Sequence, residues 1–166
     1  MSMPPPLLPG DPAEVWRYAE FLKRRVGQTQ GVLDAIDEAR RDAGLWWGEA
    51  GSAFARYLDE VRADALRLRK GLDEMAGRYR DLANGLRGAQ DAAKKCERIA
   101  QELGFEAVDL VHRDALDRAL LKAGEFFNGL TREQVQAKLR EFDTALERAR
   151  RLADATRWKA TRGLPG

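Results

Sequence analysis

The stretch LWWGEAGSAF, residues 45–54, decides the fold, because it separates two long helical patterns with glycines and aromatic side chains. Gly44 and Gly48 allow positive backbone φ angles that a side chain would resist, so the first helix can end and the chain can reverse here. Trp46 and Trp47 supply a large apolar surface beside the reversal, and we expect it to wedge between the two helix ends. The stretch therefore predicts a helical hairpin.

The residues before this turn predict one amphipathic helix. Asp11 is placed as its N-cap, Pro12 occupies the first helical position, and Glu14 can reach back to the cap. Mostly apolar side chains then recur at steps of three and four residues, interrupted only by Arg40, and they make one stripe for a facing helix. The stripe consists of Val15, Ala19, Leu22, Val26, Thr29, Leu33, Ile36 and Ala43.

The residues after the turn predict a longer helix that ends at Gly104. Its apolar side chains follow an unbroken seven-residue repeat, which is typical of a helix supercoiled against a partner. They are Phe54, Leu58, Val61, Ala65, Leu68, Leu72, Met75, Tyr79, Leu82, Leu86, Ala89, Ala93, Cys96, Ala100 and Leu103. This helix would be about 80 Å long, against about 50 Å for the first helix, so its C-terminal half overhangs and needs another cover.

The rest of the chain can provide this cover. Residues 105–127 are helical in pattern, residues 126–130 form a turn, and Thr131 with Gln134 makes a capping box that opens a last helix. Period-two alternation is absent, so no strand is predicted. We expect an all-α protein in which a C-terminal helical hairpin packs on the overhang of helix two. The domains are a flexible Pro-rich N-terminus (1–10), a long antiparallel helical hairpin (11–104), a C-terminal helical extension (105–160) and a flexible tail (161–166).

The composition predicts no nucleic-acid partner and no stable membrane insertion. The 29 basic side chains are balanced by 27 acidic ones. The basic run from Arg148 to Arg162 has no interleaved aromatic residue except Trp158, so a solvated helix face is the favoured interpretation. No run approaches the roughly 18 apolar residues of a membrane span. The Pro-rich start also lacks the basic residues of a Sec signal peptide.

The sequence predicts neither an enzyme nor a metal or cofactor site. His112 is the only histidine and Cys96 the only cysteine, and the seven-residue repeat places Cys96 on the buried stripe. Asp109 and His112 are one helical turn apart, yet two ligands do not make a metal site. No phosphate-binding loop, dinucleotide-binding turn or zinc spacing occurs. We expect no catalytic residues and no cofactor.

Trp46-x-Gly48, followed by Ala50, Ala53 and Phe54, resembles the WxG hairpin family of type VII secretion substrates over residues 11–104. The resemblance implies a small helical hairpin that pairs antiparallel, as a homodimer or heterodimer, and is exported by a membrane-bound ATPase machine. Because this chain continues beyond the hairpin, it looks like the longer substrates whose hairpin is a leader.

In that family the export signal after helix two is an aromatic residue, usually tyrosine, with an acid four positions later. Phe105-x-x-x-Asp109 lies at the corresponding place, with phenylalanine as the departure from the family pattern. One helical turn would put both side chains on one face for a receptor groove. The other interpretation of Phe105 is a hydrophobic contact that closes the C-terminus of helix two.

We therefore expect a non-enzymatic type VII secretion substrate or secretion-leader domain of an effector, cytoplasmic before export and then secreted by this non-Sec route. It would act by helix–helix pairing with a small WxG-type helical protein or with a second copy, and would engage the secretion ATPase machinery. The predicted turn motif is Trp46, Trp47 and Gly48, and the predicted partner interface is Trp16, Tyr18, Phe21 and Phe54. The alternatives are a cytoplasmic coiled-coil adaptor or chaperone and an all-α toxin.

Overall fold

The computed structural model describes residues 10–123 and 126–162. The elements are α1 (Pro12–Ala43), α2 (Glu49–Glu102), α3 (Ala107–His112), α4 (Asp114–Lys122), β1 (Phe126–Phe127), β2 (Leu130–Thr131) and α5 (Arg132–Thr161). The predicted all-α class is confirmed, with α1 packed on α2 and α5 packed on α2. Residues 1–9 and 163–166, which hold most of the predicted flexible ends, lie outside the described residues.

The chain forms two compact units, which we call the hairpin unit (Ala13–Asp81) and the C-terminal unit (Met1–Pro12 with Leu82–Gly166). The boundary between these two units falls inside α2, between Asp81 and Leu82. Its position follows from packing, because the first part of α2 is covered by α1 and the last part is covered by the elements that follow it in the chain.

The stripe predicted on α1 is confirmed. Ala19, Leu22, Leu33 and Ile36 are buried, and so is Thr29, whose hydroxyl donates to the carbonyl oxygen of Arg25 at 2.9 Å. The internal hydrogen bond explains how a polar side chain is accommodated on this stripe. The helix also begins at Pro12, as the sequence predicts.

The stripe predicted on α2 is only partly right. Leu68 and Met75 are exposed over 58% and 44% of their surface, whereas Ala76, which the repeat left out, is buried. Ala76 follows the buried Leu58 by 18 residues, which is five turns at 3.6 residues per turn. A seven-residue repeat drifts by about 20° per heptad around a straight helix, so by Leu68 and Met75 it has left the line that is buried in the hairpin unit.

In the C-terminal unit the last part of α2 packs antiparallel on α5. The buried core is formed by Cys96, Ile99, Ala100, Leu103, Ala107, Leu110, Leu116, Val135, Phe142 and Ala145. Gly85 permits a close approach, because a Cβ there would lie 2.1 Å from the Oγ1 of Thr156. The capping box of Thr131 and Gln134 at the start of α5 is confirmed.

The segment between α2 and α5 differs most from the prediction. In place of one helical pattern over 105–127 there are two short helices, which part at Arg113 in the left-handed region (φ 57°). The predicted turn is the centre of a small antiparallel β-hairpin, with Asn128 (φ 47°) and Gly129 (φ 75°) between the two strands. Asn-Gly favours such two-residue hairpin turns, and strands of two residues are too short to show alternation.

Candidate protein-interaction surface

One side of the hairpin unit is closed by polar pairs between α1 and α2. They are Arg40 with Asp59, Asp37 with Arg62, Gln30 with Arg69, Lys23 with Asp73 and Glu20 with Arg80. The Nε of Arg62 donates to Asp37 at 2.7 Å, and this hydrogen bond lowers the pKa of the Asp37 carboxyl below its usual value. Exposed pairs contribute little to stability, so we assign this row mainly to the register of the two helices.

The other side of the hairpin unit is apolar and open to solvent. We call it the apolar flank, and it consists of Tyr18, Phe21 and Val32 on α1 with Leu68, Leu72 and Met75 on α2. At about 100° per residue, Leu68 and Met75 lie on one side of the buried line of α2, and Arg62 and Asp73 lie on the other. A groove of about 430 Å³ runs between the helices on this flank.

Arg25 borders this groove without closing it. Its guanidinium lies over the Phe21 ring, 5.0 Å from the ring centroid, and its Nη1 donates to the Oε1 of Gln28 at 2.9 Å. Tyr18 contributes an edge contact to Tyr79, with ring centroids 4.8 Å apart. The flank therefore combines Leu68, Leu72 and Met75 on α2 with two aromatic side chains and Val32 on α1, and Arg25 lines its groove.

The structure separates the four residues predicted for the partner interface. Tyr18 and Phe21 lie on the apolar flank. Trp16 lies on the side of the polar pairs, where its ring is 5.4 Å from the Arg80 guanidinium. Phe54 lies at the turn. The prediction missed Val32 and wrongly placed Leu68 and Met75 in the core. The seven-residue repeat has a period of 3.5 residues and an α-helix has one of 3.6, and this difference would have placed the two α2 residues beside the buried line.

The predicted turn motif forms the tip of the hairpin. Gly48 has a positive φ of 91°, as expected, whereas the φ of Gly44 is not positive. Trp46 stacks on Phe54 with ring centroids 5.5 Å apart and is still 60% exposed, and Trp47 is 97% exposed. The expected tryptophan wedge is therefore wrong for Trp47, because α1 and α2 close on one another through the smaller buried residues Ala43 and Leu58.

Gly51 is the turn residue whose role the sequence did not reveal. A Cβ at this position would lie 2.7 Å from the carbonyl oxygen of Trp46 and 2.9 Å from its Cβ. The first turn of α2 therefore packs directly on the backbone of Trp46. This contact needs a glycine three residues after Gly48.

The two residues of the predicted export signal belong to different local structures. Gly104 (φ 80°) ends α2, the N–H of Phe105 donates to the carbonyl oxygen of Ala100 at 2.9 Å, and the N–H of Gly104 donates to that of Gln101 at 3.0 Å. This pair of bonds is the Schellman motif. The Phe105 ring packs against the core of the C-terminal unit and stacks at 6.0 Å on Phe127, which confirms its role in closing the end of helix two.

Asp109 is exposed on α3, and Phe105 precedes the N-cap of that helix, Glu106. The expected single helical turn through Phe105 and Asp109 is therefore wrong, because α2 has ended and α3 has not begun at Phe105. The export signal itself stays a prediction.

The chemistry-bearing side chains are dispersed. Cys96 is fully buried, as predicted, and burial raises the pKa of its thiol, so the unreactive protonated form is favoured. Over residues 10–123 and 126–162, no three His, Cys, Asp or Glu side chains are grouped so that they could hold a metal ion. In the same part of the chain, no helix has the length and apolar character needed to cross a membrane.

Comparisons with protein-family models, with curated proteins and with solved structures find no match to this chain. The likeness to the WxG hairpin family therefore rests on the residues quoted for it, and membership of that family is a prediction.

Proposed function

We propose that this chain is a non-enzymatic type VII secretion substrate, or the secretion-leader domain of an effector, and that it acts by pairing its apolar flank with a partner hairpin. Two features support this role. The sequence places Trp46-x-Gly48 at the turn of a long helical hairpin, and the hairpin carries an apolar face with a groove beside it. The apolar flank is the observation that carries the proposal.

The composition of the flank favours a protein partner. Leu68 and Met75 are exposed two helical turns apart on α2, and the exposed Val32 of α1 lines the same groove as Leu68. Exposed apolar side chains grouped in this way typically mark an interaction site. Covering these side chains with apolar side chains of a partner stabilises the complex by about 25 cal/mol per Å² of apolar area removed from water. A partner helix lying along the groove would bury both sides of it at once.

The charges along α2 favour a partner that runs antiparallel. On the side of α2 that carries Leu68 and Met75, the outermost row is Tyr57, Val61, Asp64, Leu68, Gly71, Met75 and Arg78, at steps of four and three residues. Asp64 and Arg78 lie seven residues to either side of Gly71, and a Cβ at Gly71 would meet no atom within 4 Å. A second copy running antiparallel about Gly71 would bring Asp64, which now binds Arg67, next to Arg78 of that copy.

Leu68, three residues before Gly71, would then lie within one residue of the position that faces Met75 of the second copy, which is four residues after Gly71. The same order of charge and apolar residues on a small WxG-type protein would serve equally, so we propose either a second copy or such a protein as the partner.

Disulfide trapping tests this pairing. In a Cys96→Ser background, Gly71→Cys places a thiol at the centre of the proposed interface, and Gly77→Cys places one on the same helix but off the flank. No atom lies within 4 Å of the Cβ position of either glycine, so neither new side chain clashes with its surroundings. We expect the Gly71→Cys chain to form a covalent dimer under mild oxidation, or a disulfide with a cysteine variant of the partner. Equal trapping of both variants would contradict the pairing surface.

Secretion needs its own experiment, because a cytoplasmic adaptor or chaperone would pair in the same way. The chain is expressed in cells that carry a type VII machine, and the secreted fraction is compared with that of Trp46→Ala, Phe105→Ala and Asp109→Asn variants that retain pairing. Selective loss of export supports the secretion role. Pairing without any export of the unaltered chain points to the adaptor.

A further inference from the structure

The two asparagines of this chain each precede a glycine, as Asn84-Gly85 and Asn128-Gly129. An asparagine followed by glycine is the pair in which the next backbone nitrogen reaches the side-chain amide carbon with least steric hindrance, because glycine has no Cβ. Asn84 lies inside α2, whereas Asn128 lies in the turn between β1 and β2. The same dipeptide therefore occurs in two opposite settings.

The setting of Asn128 leaves the backbone nucleophile free. Phe127 pairs with Leu130 across the hairpin, so the N–H of Gly129 lies between the paired residues and outside the ladder of strand hydrogen bonds. Both turn residues are exposed, and a Cβ at Gly129 would meet no atom within 4 Å. Apart from the two chain neighbours, no described atom therefore lies within 4 Å of the Cβ position of Gly129.

The side chain of Asn128 stabilises the end of a long helix. Its Nδ2 donates to the carbonyl oxygen of Leu103 at 2.8 Å, directly after the last residue of α2. That carbonyl belongs to the negative end of the helix, which hydrogen-bond donors stabilise and which negative charges destabilise. A Cβ at Gly104 would lie 2.6 Å from the same Nδ2, so the glycine makes room for the contact.

We propose that Asn128 is a site of spontaneous deamidation, and that the reaction permanently removes the hydrogen bond that caps the C-terminus of α2. The backbone nitrogen of Gly129 attacks Cγ of Asn128, the new N–Cγ bond forms, and the Cγ–Nδ2 bond breaks. The amide leaves as ammonia, which carries away the proton of the Gly129 N–H. Water then opens the resulting succinimide to aspartate or isoaspartate, and no other reactant is needed.

The contact with Leu103 controls when this reaction occurs. The hydrogen bond from Nδ2 to the Leu103 carbonyl restrains the side-chain amide, and we expect the reaction to proceed in molecules whose contact has opened. The product cannot close the contact again, because a carboxylate has no hydrogen to donate and places a negative charge at the negative end of the helix. Each chain that reacts therefore loses this cap permanently.

Asn84 provides a control within the same chain. Its neighbour Gly85 lies inside α2, where the backbone N–H is held by the helical hydrogen-bond ladder, and Gly85 also faces the side chain of Thr156. The attack that is open at Gly129 is blocked at Gly85 for as long as α2 is folded.

The test incubates the full folded chain in mildly alkaline buffer and follows the gain of one mass unit by peptide mapping. We expect deamidation at Asn128 and none at Asn84, whereas in denaturant both sites should react at similar rates. Faster or equal reaction at Asn84 in the folded chain would overturn the assignment.

A second measurement tests the consequence by comparing Asn128→Asp with Asn84→Asp. We expect Asn128→Asp to lower the melting temperature by roughly 5–10 °C and to speed hydrogen exchange at the last turn of α2. Asn84→Asp changes one exposed helical position and should leave that turn protected. A normal melting temperature and normal exchange in Asn128→Asp would refute the loss of this cap.

Discussion

Replacement of Gly85 by alanine should destabilise the protein, although the same change at Gly77 in the same helix should stabilise it. In a helix interior, alanine is more favourable than glycine by about 0.5–1 kcal/mol. At Gly85, however, the new Cβ would lie 2.1 Å from the Oγ1 of Thr156 and 3.0 Å from its Cβ and Cγ2. Rotation of the threonine moves only Oγ1 and Cγ2, so the overlap with its Cβ persists and α5 has to shift.

Overpacking of this kind typically costs about 1–3 kcal/mol, which exceeds the gain in helix propensity. We therefore expect Gly85→Ala to lower the free energy of unfolding by about 0.5–2 kcal/mol. Gly77→Ala is the matched control, because Gly77 is in the same helix and its Cβ position meets no atom within 4 Å. That variant should be more stable than the unaltered chain by about 0.5–1 kcal/mol.

Urea unfolding followed by circular dichroism measures both variants. Thr156→Ala combined with Gly85→Ala should recover the part of the loss that comes from Oγ1 and Cγ2, whereas the contact with the Cβ of residue 156 remains. If Gly85→Ala proved as stable as Gly77→Ala, the close contact between α2 and α5 would be wrong, and so would the packing of the C-terminal unit.

Three further predictions concern the turn, the polar pairs and the buried thiol. Gly51→Ala should destabilise the hairpin unit by about 1–3 kcal/mol, because the new Cβ overlaps with Trp46. Ala53→Gly, a change at an exposed site in the same turn of helix, should cost only about 1 kcal/mol. Thermal melts compare the two variants, and equal costs would contradict the contact with Trp46. Because the pKa of Asp37 is lowered in the folded state, its ionised carboxyl should stabilise the fold above its unfolded pKa, and this stabilisation should be lost as the pH falls through its folded pKa. Asp37→Asn should remove this part of the decrease in the urea midpoint at acid pH. An unchanged pH dependence would contradict the hydrogen bond from Arg62. Cys96 should react with a thiol reagent only at the rate at which the C-terminal unit opens, because it is buried and its pKa is raised; rapid labelling of the folded chain would refute its place in the core.

The elements with long periodic patterns could be predicted from the sequence. The stripe of α1, the start at Pro12 and the capping box at Thr131 depend on local spacing and local hydrogen bonds, which a sequence displays directly. The burial of Cys96 could likewise be predicted, from its place in the seven-residue repeat.

The errors arose where two physical rules competed. Leu68 and Met75 satisfied the seven-residue repeat, but a straight helix with 3.6 residues per turn carried them out of the core. Phe105 satisfied the spacing of a helical pair with Asp109, but Gly104 had already ended the helix. The capping glycine was visible in the sequence, and it should have taken precedence over the spacing.

Other features needed three-dimensional contacts. The close approach of Gly51 to Trp46, and of Gly85 to Thr156, depends on which surfaces meet, and nothing in the spacing of glycines reveals it. The bond from Asn128 to Leu103 likewise joins residues 25 positions apart. The apolar flank could be recognised only once the core residues of both helices were known, because it consists of the apolar side chains that are not buried between α1 and α2.

The most direct test of the central claim is the solution mass of the purified chain, measured by light scattering over a range of concentrations. The measurement is made on the chain alone and mixed with a candidate WxG-type partner, and is then repeated with Leu68→Glu and with Leu66→Glu, which alters an exposed leucine on the opposite side of the α2 buried line. We predict a dimer or a one-to-one complex that Leu68→Glu abolishes and Leu66→Glu preserves. A chain that stays monomeric with and without the partner, or two variants that behave alike, would contradict pairing through the apolar flank.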